Sequence, residues 1–212
     1  MKCFRYKLDH DYGFAPNPFW GIMTLATCKA QLRHNKRLEL GDWVAGFGSV
    51  GMNNLNCLIY AMKVEQVLTF DEYWDNPKYD CKRPVVTGTL CQMYGDNVYH
   101  TVEGKVIQEH CAHSLDSGVP NMGHYDTDVS GENVLLSKHF YYFGDHAPMI
   151  PKDLDFILPW RNIQFQYCIA PDLMSIVWEH RRKWKRVLSV RFNYSICQNA
   201  GTRLNSQNCI SG

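Results

Sequence analysis

The chain lacks the features that would place it in several large classes. No apolar run approaches the roughly 20 residues that a membrane-spanning helix needs. The first residues, MKCFRYKLDHDYGF, contain no apolar leader segment. Neither sign of charge dominates, since 22 Lys and Arg stand against 21 Asp and Glu. That balance excludes a basic coat over the whole surface and leaves room for a local patch. No CxxC pair occurs among the nine cysteines. Their odd number and irregular spacing do not make a disulfide framework, and they fit a reducing compartment. The nearest approach to a metal-ligand pair is His110-Cys111-Ala112-His113. Ligands that close together rarely converge on one tetrahedral ion, so no metal and no other cofactor is expected. Also missing are the GxxxxGK[ST] phosphate loop, GxGxxG after a strand, HExxH, GxSxG and the paired motifs of zinc deaminases. A soluble cytoplasmic protein is the expectation, with no membrane contact.

What is present is a core. The 212 residues are 45% hydrophobic and include 10 Phe, 12 Tyr and 6 Trp, enough for one domain of moderate size and too much for wholesale disorder. Residues 12–21, YGFAPNPFWG, hold two prolines and two glycines and so cannot form a regular helix. Their aromatics predict an ordered loop against the core or lining a pocket. A short strand or helix start follows at Thr24–Cys28, then one or two helical turns between Lys29 and Lys36.

Residues 41–49 and 57–67 read as two strands joined by a Gly/Asn turn, an antiparallel hairpin. Thr69 and Glu72 make a capping box for a short helix, Phe70–Trp74, which Asn76-Pro77 ends. Glu103-Gly104 turns a second small hairpin. The polar stretch 110–131 is long for a structureless loop and is read as functional. Strands resume at 133–137 and 140–144. Asp172 caps a helix running to about Leu188, in which positions 180–186 carry six cationic or potentially cationic side chains.

The glycine, aspartate and outgoing strand at 41–44, followed by a second strand, resemble PUA-like barrels such as the ASCH and EVE domains. The expected fold is therefore α+β: a compact, mainly antiparallel, barrel-like core of PUA/ASCH/EVE type with short helices and a C-terminal basic helix. The expected division is residues 1–160 as the main domain and 161–212 as a C-terminal helical extension or a further part of the same domain.

A closer resemblance rests on longer strings. These are DYGFAPNPFWG at 11–21, TLATCK at 24–29, GDWV at 41–44, FDEYW at 70–74, GDNVYH at 95–100, VLLS at 134–137 and FYYFG at 140–144. Together they are similar to the nucleotide modification associated domain family, second type, over about residues 1–155. The resemblance implies a link to systems that modify nucleobases and supplies no reaction.

Read as chemistry, these motifs offer a base or nucleotide pocket. Phe14, Phe19, Trp20 and Trp43 have flat faces for stacking. Asn17 presents a donor and an acceptor to a base edge. Lys29 can meet a phosphate, and Asp96 or Asn97 can face the same pocket. Set against this, the aromatics are also plain core candidates, and Asn17, Asp96 and Asn97 suit turns. Arg181, Arg182 and Lys185 on the basic helix suit phosphate contacts or a solvated face.

For catalysis, His124 and Asp126 would point the same way in an extended loop and form an acid–base pair, with Asp11 nearby. Cys28 beside Lys29 offers a nucleophile. Following Thr-Leu-Ala-Thr, it reads instead as a buried thiol. Three functions stay open: a reader that holds a modified base, an enzyme acting on a modified nucleotide or base, and a protein-interaction partner. The expected partner is a nucleotide or nucleic acid, DNA with a modified base foremost.

Overall fold

The computed structural model describes residues 1–159, 164–167 and 170–183. The strands are β1 (Lys2–Lys7), β2 (Met23–Leu25), β3 (Trp43–Phe47), β4 (Leu58–Lys63), β5 (Gln66–Thr69), β6 (Tyr99–Val102), β7 (Lys105–Gln108), β8 (Asn133–Ser137), β9 (Phe140–Tyr142) and β10 (Gln164–Tyr167). The helices are α1 (Ala30–Arg33), α2 (Phe70–Trp74), α3 (Leu90–Met93), α4 (Met122–Val129) and α5 (Ala170–Lys183).

A five-stranded sheet runs β10-β1-β3-β4-β9, and a three-stranded sheet runs β2-β8-β5. Among the described residues only β1 and β3 pair in parallel; the other ladders are antiparallel. The predicted hairpin forms as β3–β4, with Val44 opposite Met62, but its second strand stops at Lys63, and residues 66–67 belong to β5 in the other sheet. Gly46 is required in the hairpin, because a Cβ would lie 2.3 Å from the Tyr60 ring and 2.6 Å from Leu8. Thr69 and Glu72 close their capping box on α2. The second hairpin, β6–β7, turns through Glu103 and Gly104, both with positive φ, as a two-residue hairpin turn demands.

Strand alternation explains the layers. Cys3, Trp43, Ala45 and Ala61 face one side of the five-stranded sheet, where Leu173, Ile176 and Val177 of α5 cover them. Phe4, Tyr6, Val44 and Tyr60 face the other side and meet Met23, Leu25 and Leu135 of the three-stranded sheet. The next residues along, Val134 and Leu136, point away from that contact and pack with Phe70, Tyr73 and Tyr99. The order of layers is thus α5, five-stranded sheet, three-stranded sheet, then α2 with the β6–β7 hairpin.

The barrel expectation is not confirmed. The fold is α+β with short helices, but among the described residues no sheet closes on itself. Two open sheets face each other instead, because β8 and β9 diverge to different sheets after the Ser137–Phe140 turn. The stretch 110–131 is not structureless either: it contains α4.

Candidate active site

Chain direction reverses sharply after β2. Cys28 and Lys29 both take left-handed backbone angles, with φ 53° and 42°, and α1 begins at once. Left-handed angles at non-glycine residues cost about 1–3 kcal/mol each and persist only where the surroundings hold them. Here they are held from both sides. The Cys28 N–H donates to Asp128 Oδ1, and the Cys28 carbonyl accepts from Arg33 Nε at 2.8 Å. The turn leaves Cys28 half-buried with its thiol at the end of a strand.

Asp128 sits on the inner side of α4, 1% exposed. Its Oδ2 accepts from the Tyr99 hydroxyl at 2.9 Å and from His113 Nδ1 at 2.7 Å. Gln108 in turn donates to the Tyr99 oxygen at 2.6 Å. With Nδ1–H committed to a carboxylate, His113 presents Nε2 on its opposite edge, 3.6 Å from Cys28 Sγ. Thiol, imidazole and carboxylate therefore stand in the order that nucleophilic catalysis uses: nucleophile, base, orienting group. Burial works to lower the pKa of His113, but its bonds to Asp128 and Cys28 prevail and raise it to about 9.

The rings around His113 fix its plane. Phe14 meets it edge-on at 4.7 Å. His124, exposed on α4, stacks on it at 4.2 Å with the planes 18° apart. Beneath the site, Arg33 is 2% exposed and donates to three carbonyls: Cys28, Asn133 at 2.7 Å and Asp128.

Cys28, His113 and Asp128 each offer one atom within 4.8 Å of the others, a separation that a cation could also bridge. The donor set fits a cation poorly. Both Asp128 oxygens already accept hydrogen bonds, and His113 turns one nitrogen to the carboxylate and the other to the thiol. A cation would have to break this series, and tetrahedral coordination needs a fourth donor.

The structure disperses much of the pocket read from sequence. Phe14 lies at the site, whereas Trp43 belongs to the α5 side of the five-stranded sheet, stacked on Tyr141. A single pocket built on both is corrected by that separation. Phe19 and Trp20 are half-buried in a short helical turn at 19–21. Asn17 is fully buried, donating to the Tyr94 carbonyl at 2.7 Å and accepting from Lys82 Nζ at 2.6 Å. Asp96 is equally buried and accepts from Thr24 and Tyr73 at 2.6 and 2.9 Å. Asn97 donates to the Tyr73 and Tyr79 carbonyls. Asn17 ties the 13–22 loop to Tyr94 and Lys82, whereas Asp96 and Asn97 bind β2, Tyr73 and the Tyr79 carbonyl, and all three are buried.

Lys29 is half-buried, with Nζ 4.9 Å from the Tyr6 ring centre. Asp11 accepts from the Tyr142 hydroxyl at 2.9 Å, and burial pushes its carboxyl up. Tyr142 packs against the cluster that holds Tyr6, so Asp11 lies on the three-stranded-sheet side of the five-stranded sheet.

The His124–Asp126 pair is also corrected. The segment is helical, so residues two apart are turned about 200° from each other. The carboxylate that bears on His124 is Asp128, four residues on, and Asp126 is exposed on another face. Arg181 and Arg182 lie on α5, across the five-stranded sheet from Cys28. Lys185 lies outside the described residues. Sequence reasoning weighed His113 only as a metal ligand and set it aside, passed over Asp128, and read Cys28 as a buried thiol. The available signal was a cysteine, a histidine and an aspartate on separate segments, diluted by nine Cys and nine His.

The fold and site define an α+β protein with a cysteine–histidine–aspartate constellation at a strand-to-helix turn. The chain belongs to the nucleotide modification associated domain 2 family, whose model matches residues 1–176. No curated protein and no solved structure matches it. Among the described residues no helix is long and apolar enough to cross a membrane.

Proposed function

We propose that this chain is a cysteine-dependent acyl-transfer enzyme that acts on an amide or ester carried by a nucleobase or nucleotide. The observation that carries this is the arrangement of Cys28 Sγ 3.6 Å from His113 Nε2, with His113 Nδ1 2.7 Å from Asp128. Cys28 attacks the acyl carbonyl as a thiolate. His113, held protonated by Asp128, gives its Nε2 proton to the departing amine or alcohol as the carbon–heteroatom bond breaks. A thioester remains on Cys28, and an acceptor then takes the acyl group. Phe14 and Asp128 keep the His113 ring in register with the thiol throughout. The family's link to nucleotide modification supports nucleotides as the substrate class.

The reader alternative relied on one aromatic pocket built from Phe14, Phe19, Trp20 and Trp43. The separation of Phe14 from Trp43 weakens it, and a reader would leave the Cys28–His113–Asp128 series without a task. The acid–base enzyme alternative survives in altered form, with His113 and Asp128 in place of His124 and Asp126.

The test is incubation of the full chain with nucleosides and oligonucleotides bearing base-linked amides and esters, followed by mass spectrometry of small molecules and intact protein. The expected result is an acyl group on Cys28 and a de-acylated base, both absent with Cys28→Ala. Equal turnover by wild type and Cys28→Ala overturns the reading.

A further inference from the structure

The β6–β7 hairpin brings two polar side chains to the site from behind. Its register sets Tyr99 directly opposite Gln108, so the two side chains leave the same face. Both are buried, 1% and 6% exposed. The Tyr99 hydroxyl reaches Asp128 Oδ2 at 2.9 Å, and Gln108 Nε2 reaches the Tyr99 oxygen at 2.6 Å. Five side chains therefore stand in one hydrogen-bonded series, from Gln108 through Tyr99, Asp128 and His113 to Cys28.

Gln108 is a poor choice for packing alone. Its Oε1 is buried and has no partner among the described residues, and an orphan of that kind costs about 1–3 kcal/mol. What the amide adds is direction. A phenol carries a single proton. With the Gln108 amide donating to the Tyr99 oxygen, that proton points to Asp128. Burial and the Asp128 charge push the Tyr99 hydroxyl up, so it stays protonated. The other Asp128 oxygen faces the Cys28 N–H, which can only donate. Asp128 is thus an acceptor on every side, and the His113 nitrogen that faces it carries a hydrogen. The reversed series would turn the Gln108 oxygen to Tyr99, put a proton on Asp128 and leave His113 Nδ1 bare. The remaining titratable groups around Tyr99 are engaged elsewhere. Cys111 Sγ lies 3.7 Å from Ser114 Oγ, and the Tyr125 hydroxyl donates to the Val106 carbonyl.

Direction matters once the first half-reaction is over. His113 has then given its Nε2 proton to the leaving group and is neutral. Only the tautomer with hydrogen on Nδ1 leaves Nε2 bare on the edge that faces Cys28, able to take a proton from the acceptor.

We propose that Gln108, acting through Tyr99, is a positioning residue that holds neutral His113 in the Nδ1–H tautomer and so keeps Nε2 available as the base of the second half-reaction. This rests on the acyl-transfer reading. In that step the acceptor oxygen or nitrogen bonds to the acyl carbon, and its proton passes to His113 Nε2. The carbon–sulfur bond breaks, and the electron pair returns to Cys28. No proton leaves Tyr99 or Gln108, and no oxidant or reductant is needed.

The probe is p-nitrophenyl acetate with water as acceptor. Nitrophenolate departs without a proton, so only the second step needs the bare Nε2. Its release is followed through the burst and the steady state at a series of pH values, and acetyl-Cys28 by intact mass. Wild type is expected to give a burst and then turn over. Gln108→Met is expected to keep the burst, accumulate acetyl-Cys28 and slow in the steady state by about 10-fold, the low end of what an outer hydrogen-bond partner of a functional histidine is worth. Gln108→Glu is expected to match wild type at acid pH, where its carboxyl still donates to Tyr99. As pH rises its carboxylate takes the Tyr99 proton, and the rate is expected to fall to that of Gln108→Met. Adding Tyr99→Phe is expected to abolish this pH dependence, because the effect passes through the phenol. A Gln108→Met steady state equal to wild type overturns the proposal. An equal loss in Gln108→Met and Gln108→Glu at every pH also overturns it, by making the side chain a matter of packing. Both results leave Cys28 as nucleophile. No burst and no adduct in wild type overturns the acyl-transfer reading, and this one with it.

Discussion

His113 and Asp128 meet at 2.7 Å on the edge of the imidazole that faces away from Cys28. The same carboxylate accepts the Cys28 backbone N–H through its other oxygen. One side chain thus orients the histidine and anchors the turn that carries the thiol. The distance between nucleophile and base is set by a shared partner as well as by their own contact.

Thiol reactivity should follow this arrangement rather than exposure. Cys81 is exposed and Cys28 only half-buried. Burial of its sulfur nevertheless pushes the Cys81 thiol up, whereas Cys28 sits beside a histidine that holds its proton to about 9. Iodoacetamide near neutral pH is expected to modify Cys28 first, and His113→Gln to remove that preference. Peptide mass spectrometry over a time course reads the order directly. Cys81 modified ahead of Cys28 in wild type would contradict it.

Asp128→Asn keeps the shape and removes the charge. The amide cannot accept from Cys28 N–H, Tyr99 and His113 together as the carboxylate does. The His113 proton then loses its partner in a buried place. The expected cost is about 3 kcal/mol of stability, in the range for breaking a buried charged pair. Urea titration at neutral pH measures it, with the same slope and a lower midpoint expected.

The pH dependence of stability has a definite sign at His113. Its pKa rises from 6.5 in the ordinary state to about 9 in the fold, so the folded chain binds the proton more tightly. The resulting stabilisation is complete below 6.5 and is lost as pH climbs through about 9. Melting curves of wild type and His113→Gln are expected to lie furthest apart near the low end of that window and to converge above it. A gap that widens with pH would be inconsistent with the His113–Asp128 bond.

Lys82 predicts the opposite slope. It is fully buried, donating to both oxygens of Asn17 and to the Ile22 carbonyl. Burial lowers its pKa from 10.5 to about 8 although Asp96 opposes the shift. The unfolded chain therefore takes up more protons between 8 and 10.5, and this group's contribution to stability improves as pH rises through that window. Lys82→Met is expected to lack the improvement and to cost about 2 kcal/mol at neutral pH, because it leaves buried acceptors without a donor. Denaturant midpoints at three pH values separate the two effects.

Gly131 is the position where a single methyl group should reach the site from behind. A Cβ there would lie 2.4 Å from the Arg33 guanidinium. That group cannot swing aside without releasing the Cys28, Asn133 and Asp128 carbonyls. Gly131→Ala is expected to lower both the midpoint of unfolding and the rate of Cys28 alkylation. A variant with normal stability and normal alkylation would show that Arg33 is not needed to hold the turn.

Local signals in the sequence were legible where local physics decides. The capping box of Thr69 and Glu72, the turn at Glu103-Gly104 and the β3–β4 pairing follow from short-range chemistry, and all are present. The strings similar to the family marked its residues well before the fold was known. Closure was not legible, because whether β8 continues into the sheet that holds β9 depends on long-range packing. The site was legible only in pieces. Asp126 looked like the partner of His124 under a period of two, and the helical period made it Asp128. Cys28 looked buried because its flanking residues are, and a left-handed turn lifts it out. Asn17 and Asp96 had the right chemistry for a base edge and spend it inside the protein, and Asn97 is buried with them.

Arg33 gives the site a property that outlasts the individual bonds. Its guanidinium grips the main chain at 28, 128 and 133, so the segment bearing the thiol and the segment bearing the carboxylate are riveted at their backbones. Fraying at the surface, even along the exposed side of α4, leaves that rivet closed. The reactive geometry should therefore survive heating almost unchanged and vanish together with the rest of the fold, making loss of Cys28 reactivity a reporter of global melting.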